Sequence, residues 1–153
     1  MPGSIPANKR ARTSIMSFVD DMTMYYTESR LLNRPWMISP IGSTDQRMTP
    51  TITLDLSKFT KTSHYPDSVM LPGLVLGKIT ATGQFGLYDP NASDGRQTAK
   101  GLLFSPSVVT EGATQVLGQI LLSGYVQPAS LPAGNGLDAA ARTALRNIVF
   151  LDV

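Results

Sequence analysis

From Thr51 onward, apolar and polar residues alternate with period two, and this constrains the fold more than any other feature of the chain. Ile52, Leu54 and Leu56 fall on one face of an extended strand, with Thr51, Thr53 and Asp55 on the other. Leu74–Phe85 repeats the pattern, placing Val75, Gly77, Ile79, Ala81, Gly83 and Phe85 together on one face of a single predicted strand. The small members Gly77, Ala81 and Gly83 predict that a backbone or partner strand comes close there. Gln97–Phe104 and Gln115–Val126 are further predicted strands, the second interrupted by Gly118 and Gly124, and Ile148–Leu151 is a last one. Ser57–Ser68 is polar and turn-rich, and Tyr88-Asp89-Pro90-Asn91 and Asp94-Gly95 have the chemistry of tight turns. In this region only Leu137–Arg146, Ala-rich and following Asn135-Gly136, predicts a helix. The chain has 13 Gly, 11 Pro and 16% charged residues in 153, against about 25% charged in an ordinary domain, and this argues against a helical bundle. Several short strands and one late helix make the fold mainly β, a small β-barrel or sandwich body with one short C-terminal helix.

The first fifty residues read differently. Residues 1–12 carry two Pro, a Gly and the basic tip Lys9-Arg10-Ala11-Arg12, the composition of an extended arm. Ile15, Phe18, Val19, Met22, Tyr25 and Tyr26 recur at helical spacing, so a short amphipathic helix is predicted within 14–33, stopped at Asn33-Arg34-Pro35. Residues 35–50 contain three Pro and a Gly, so regular structure should lapse there. Trp36, Met37, Ile38 and Ile41 are too apolar for a free linker, and they predict packing on the chain's own body or on another subunit. Residues 1–61 hold eight Lys/Arg against five Asp/Glu, and residues 62–153 hold five against six. A mildly basic front joined to a near-neutral body hints at two parts with different jobs.

Enzyme chemistry lacks its parts. With no cysteine there is no disulfide, Cys-ligated zinc, iron–sulfur cluster or thiol nucleophile. His64 is the only histidine, and no G-x-S-x-G elbow accompanies it, so it reads as a loop residue with a structural hydrogen bond. Asp20-Asp21 diverge on the predicted helix, and the Asp89–Asp94 turn lacks the acidic density and closing Glu of a calcium loop. Gly73-Leu74-Val75-Leu76-Gly77-Lys78-Ile79 superficially suggests a phosphate loop. It has three residues between its glycines where four are required, and Ile79 stands in place of the magnesium-binding hydroxyl. No cofactor and no metal are therefore expected. The longest uncharged run, Gly112–Leu137, carries five Gly, three Gln and two Pro, so no membrane span is expected, and the start of the chain does not read as a secretory signal. A modest net charge of +2 without interleaved basic and aromatic residues on the β body argues against direct DNA contact.

Specific segments carry a resemblance. Pro50-Thr51-Ile52-Thr53-Leu54-Asp55-Leu56-Ser57, His64-Tyr65-Pro66-Asp67, Leu71-Pro72-Gly73 with Val75-Leu76-Gly77-Lys78-Ile79-Thr80-Ala81-Thr82-Gly83, Tyr88-Asp89-Pro90, Asp94-Gly95-Arg96-Gln97-Thr98 and Gly101-Leu102-Leu103-Phe104 together resemble the lambda-type head decoration (capsid cement) proteins of tailed bacteriophages. Leu131–Ala141 is similar to the same family, so the resemblance spans roughly residues 50–153. The combination is specific where no single piece is. Leu74 departs from the Thr expected there, and residues 1–49 are much longer than the arm of compact family members.

The resemblance implies a β-tulip body and a homotrimer seated on three-fold positions of the mature capsid. It also implies N-terminal arms over residues 1–56 reaching onto the major capsid protein from bodies over 57–153, on the outer surface of a virion assembled in the host cytoplasm. Contacts with neighbouring trimers are a further expectation. Thr51, Ile52, Thr53, Leu54, Asp55 and Leu56 are then the candidate strand for edge addition to the capsid, with Trp36, Met37, Ile38 and Ile41 as apolar contacts. Leu102, Leu103, Phe104, Val108 and Val109 are candidates for the trimer contact, competing with burial in the core. The alternative reading is a small β-barrel module for nucleic acid or glycan, using the basic tip with Tyr25, Tyr26 and Trp36.

Overall fold

The computed structural model describes residues 34–39 and 49–153. The helix predicted within 14–33, the basic tip and Ile41 lie outside the described residues. Those residues belong to the compact unit Arg34–Val153. It begins ahead of residue 57 because two earlier strands, β1 (Met37–Ser39) and β2 (Thr51–Asp55), are hydrogen-bonded into it.

The fold is mainly β, as its alternation predicts. After β2 come β3 (Val69–Met70), β4 (Val75–Lys78), β5 (Phe85–Leu87), β6 (Ala99–Leu103), β7 (Ser107–Val108), β8 (Gln115–Leu121), β9 (Gly124–Val126) and β10 (Ile148–Phe150). A closed barrel runs β2-β5-β4-β6-β8 and returns to β2. A three-stranded sheet, β1-β9-β10, and the short β3-β7 pair complete it. β2 pairs antiparallel with β8 along its whole length, from Thr51↔Gln119 to Asp55↔Gln115. On its other edge only Leu54 is paired, in parallel register with Phe85.

Adjacent residues of the barrel wall feed two different cores. Leu54, Leu74, Leu76, Leu103 and Ile120 point to one cluster, together with Leu56, Phe59 and Met70. Their neighbours Val75, Leu102 and Leu121 point to a second cluster with Trp36, Tyr88, Val126, Ala141, Leu145 and Ile148. Successive side chains of a strand leave opposite faces. A wall covered on both faces therefore accounts for the consecutive apolar pairs Leu102-Leu103 and Ile120-Leu121.

The single strand predicted over Leu74–Phe85 is corrected to a hairpin. The Gly83 N–H donates to the Ile79 carbonyl at 2.9 Å, and Ile79 N–H to that of Gln84 at 2.8 Å, closing a turn with Gly83 at φ +73°. The Thr-rich segment kept the alternation running through the reversal, and Gly83 supplies the left-handed residue that the turn requires. The close approach predicted at Gly77 is present: a Cβ there would stand 2.6 Å from both Cα and O of Arg96. Arg96 cannot retreat, since its guanidinium binds Asp94 and donates to the Leu87 carbonyl at 3.0 Å. Gly77→Ala is expected to cost about 1–3 kcal/mol by overpacking, read as a lower urea midpoint with an unchanged m-value.

Three further departures have local causes. Regular structure does not lapse over all of 35–50, because the edge of β9 offers partners: Gln127 N–H donates to the Trp36 carbonyl at 2.6 Å, and Met37 pairs with Val126. The polar stretch after β2 contains a 3-10 turn, Leu56–Lys58, capped by Asp55, and a one-turn helix, Lys61–His64. The C-terminal helix is shorter than predicted, Ala139–Ala144, beginning where the Asp138 carboxylate accepts the Ala141 N–H at 2.7 Å.

Candidate functional site

The titratable groups of the body act as structural ties. His64 is buried. Its Nδ1 accepts the Thr60 N–H at 2.8 Å, so the ring proton sits on Nε2, which donates to the Gly134 carbonyl at 3.2 Å. The one-turn helix is thereby fastened to the loop ahead of the C-terminal helix. Tyr88 and Asp138, from two segments that carry the family resemblance, meet in space. The phenol donates to Asp138 Oδ1 at 3.1 Å while the same carboxylate caps the helix. Burial first, then the Asp138 hydrogen bond and charge, push the Tyr88 phenol above its ordinary value of 10.0. Asp94 is held below the usual carboxylate range, chiefly by its hydrogen bond from Arg96, with Lys58 3.7 Å away. Asp89 accepts the Asn91 N–H at 2.9 Å, an ordinary turn contact. Each carboxylate of the Asp89–Asp94 turn is thus committed to its own loop, and no nucleophile faces His64 among these contacts.

The residues predicted to touch partners fall in several environments. Trp36 is 2% exposed and forms part of the second core, so its ring is covered by its own chain. Met37 is half-buried, whereas Ile38 is 44% exposed. Thr51–Asp55 is a barrel strand, a correction to the expectation of a segment lying ahead of the body. Leu54 and Leu56 are buried inside, and the β8 edge of the strand is fully paired. What stays open is the other edge at Thr51, Ile52 and Thr53. It borders a groove of about 440 Å³ completed by Gln84, Phe85 and Leu117.

Of the five candidates for the trimer contact, Leu102, Leu103 and Val109 are buried in the two cores, because the wall they belong to is covered on both faces. Phe104 is half-buried beneath the Arg34 guanidinium, 4.1 Å from the ring centroid, and Arg34 Nε donates to the Phe104 carbonyl. Burial lowers the pKa of Arg34. Val108 stands 71% exposed at the edge of the β3-β7 pair.

Sequence reasoning missed Leu117, 66% exposed beside the groove, and Val149, exposed on the sheet β1-β9-β10 that also carries the predicted Ile38. The alternation of Ile148, Val149 and Phe150 carried a signal for Val149, since the buried Ile148 and half-buried Phe150 on either side fix which way it points. Leu117 carried none, because its outward position depends on the register of β8 against a strand sixty residues earlier. The described surface therefore offers separate apolar side chains and, on the barrel, a half-open strand edge at Thr51–Thr53. These are means of contacting other proteins, without a convergent set of reacting groups.

The family model described as bacteriophage lambda head decoration protein D matches residues 56–147, more than half of the chain. No curated protein matches the sequence.

Proposed function

Because the chain belongs to the family of bacteriophage lambda head decoration protein D, a family of structural capsid components, we propose that it binds the outside of the mature phage head as a homotrimer at three-fold positions. There it holds neighbouring capsid subunits together against the outward pressure of packaged DNA, without making or breaking a bond. The family match over the barrel is the observation that carries this reading. The lack of converging reactive groups at His64 and Asp94, each committed to a structural contact, supports it.

In this reading the residues ahead of the body engage the major capsid protein, with Met37, Ile38 and Ile41 among the apolar contacts and the open edge at Thr51–Thr53 available for strand addition. Val108 and the rim of Phe104 are the candidates that remain for contact between subunits, or between neighbouring trimers. Three arms per trimer make attachment multivalent, so contacts that are modest one by one hold firmly together.

The test is binding of the purified protein to mature shells stripped of decoration. Saturable binding at a fixed number of copies per shell is the expected result. Absence of shell binding, together with strongly salt-sensitive binding to DNA or RNA, would favour a nucleic-acid module instead.

A further inference from the structure

We propose that Arg34 and Phe104 form a clamp that fixes the point from which the N-terminal arm leaves the body, making Arg34 a positioning residue for attachment to the shell. The inference rests on the shell-binding reading and names the contact on the body through which the arm is held.

Arg34 is held at both ends. Its carbonyl accepts the Met37 N–H at 2.9 Å, which closes a four-residue turn, and Pro35 presets φ at the second position of that turn. Its side chain crosses to the barrel wall, where the guanidinium lies 4.1 Å from the centroid of the Phe104 ring and Nε donates to the Phe104 carbonyl. One planar group thus stacks on a ring and hydrogen-bonds the same residue, a pairing that an ammonium does not reproduce. Phe104 is a fixed platform for it. The Phe104 N–H donates to the Gln119 carbonyl on β8 at 2.7 Å, and Leu103 is tied by backbone hydrogen bonds to Leu74 at 2.8 Å and to Gly73 at 2.7 Å.

The rest of the segment is secured without this contact. Trp36 is buried in the second core, its carbonyl accepts the Gln127 N–H at 2.6 Å, and Met37 pairs with Val126. Pro35 is exposed, and Arg34 is half-buried with no carboxylate within 4 Å among the described residues. Burial lowers the Arg34 pKa, so the cation is partly withdrawn from water and meets a ring and a carbonyl there. What the clamp adds is a second point of hold, two residues ahead of the buried indole. Residues 1–33 are covalently continuous with Arg34, so any pull on them reaches the body at this residue first. With the clamp closed, that pull passes into the wall formed by β6 and β8. With it open, only the backbone of the turn restrains Arg34.

A fixed exit point raises the effective concentration of each arm at its site, because the arm samples less volume. In a trimer two arms close intramolecularly after the first has bound. Loosening each by about threefold therefore weakens attachment by about tenfold.

The experiment uses the full-length protein and two charge-matched substitutions, Arg34→Met and, at an exposed position of the body, Arg146→Met. The chain has no cysteine, so Asn33→Cys, added to each protein, carries a single nitroxide label next to the clamp. Label motion is read by electron paramagnetic resonance without shells, melting on the same samples, and shell binding on the proteins without the label. In Arg34→Met the label should move faster on the nanosecond scale than in wild type, with melting within a few degrees and shell binding about tenfold weaker. Arg146→Met should match wild type in all three. Unchanged label motion or unchanged shell binding in Arg34→Met overturns the clamp as a positioning contact. So does a large fall in melting temperature, which would make Arg34 part of the core. Failure of the wild type to bind shells overturns the shell-binding reading instead, and label motion then still decides whether the clamp holds.

Discussion

Replacing Trp36 by alanine is expected to destabilise the body by about 3–5 kcal/mol, the range for removing a buried aromatic side chain. Trp36 is one of the largest fully buried residues and packs with Val126, Leu121 and Ile148, so its loss opens a void between the barrel wall and the β1-β9-β10 sheet. The surroundings cannot collapse to fill it. A Cβ on Gly73 would stand 2.9 Å from Trp36 Nε1, and Pro132 and Leu131 close the same corner, so the indole is seated against backbone. For a chain of this length the loss corresponds to a fall in melting temperature on the order of 10–15 °C. Trp36→Phe should cost far less. The indole N–H has no hydrogen-bond partner among the described residues, and an unpaired buried donor is itself worth about 1–3 kcal/mol of penalty. Thermal melts of the two variants separate the contributions. Equal losses from both would show that ring volume is not what Trp36 provides.

Removing residues 1–33 is expected to leave a folded body and to abolish attachment. The compact unit begins at Arg34, and Trp36, β1 and β2 all lie inside it, so the truncated protein keeps both cores and should melt within a few degrees of the full chain. Its affinity for shells should fall by at least about 10²-fold, the scale on which multivalent attachment exceeds a single contact. The cut must stop there. Removing residues 1–56 would take out Trp36 and the strand that closes the barrel between β8 and β5, so loss of binding would then report unfolding. Sedimentation of shells with the 1–33 deletion, beside its melting curve, distinguishes the two. Undiminished binding by the deletion would contradict an arm-based attachment.

The period-two pattern made Thr51–Asp55 legible as a strand, because alternation is written locally in the side chains, and short apolar runs between turn signals marked Ala99–Leu103, Gln115–Leu121 and Ile148–Phe150. Partners were not legible. That β2 lies in the barrel wall follows from its five-residue register with Gln115–Gln119, which no local property of Thr51–Leu56 encodes. The same non-local fact turned a predicted capsid-binding strand into a barrel strand with one half-open edge. Burial on two faces had a similar effect on Leu102 and Leu103: adjacent leucines are ambiguous between core and contact until the wall is known to be covered on both sides. The reversal in Leu74–Phe85 was hidden because threonines sustained the alternation through the turn, although Gly83 marked it. Of the candidate site, the exposure of Val108 and Ile38 and the identity of the two backbone partners of His64, Thr60 and Gly134, emerged only from the packing.

The central claim is mechanical: the protein makes a filled head harder to break. The direct measurement heats DNA-filled heads with and without the decorating protein and records the temperature at which packaged DNA is released. Heads carrying the protein should retain DNA to a higher temperature, and the difference should vanish when the 1–33 deletion is supplied in its place. Release at the same temperature from bare and fully decorated heads would contradict the account.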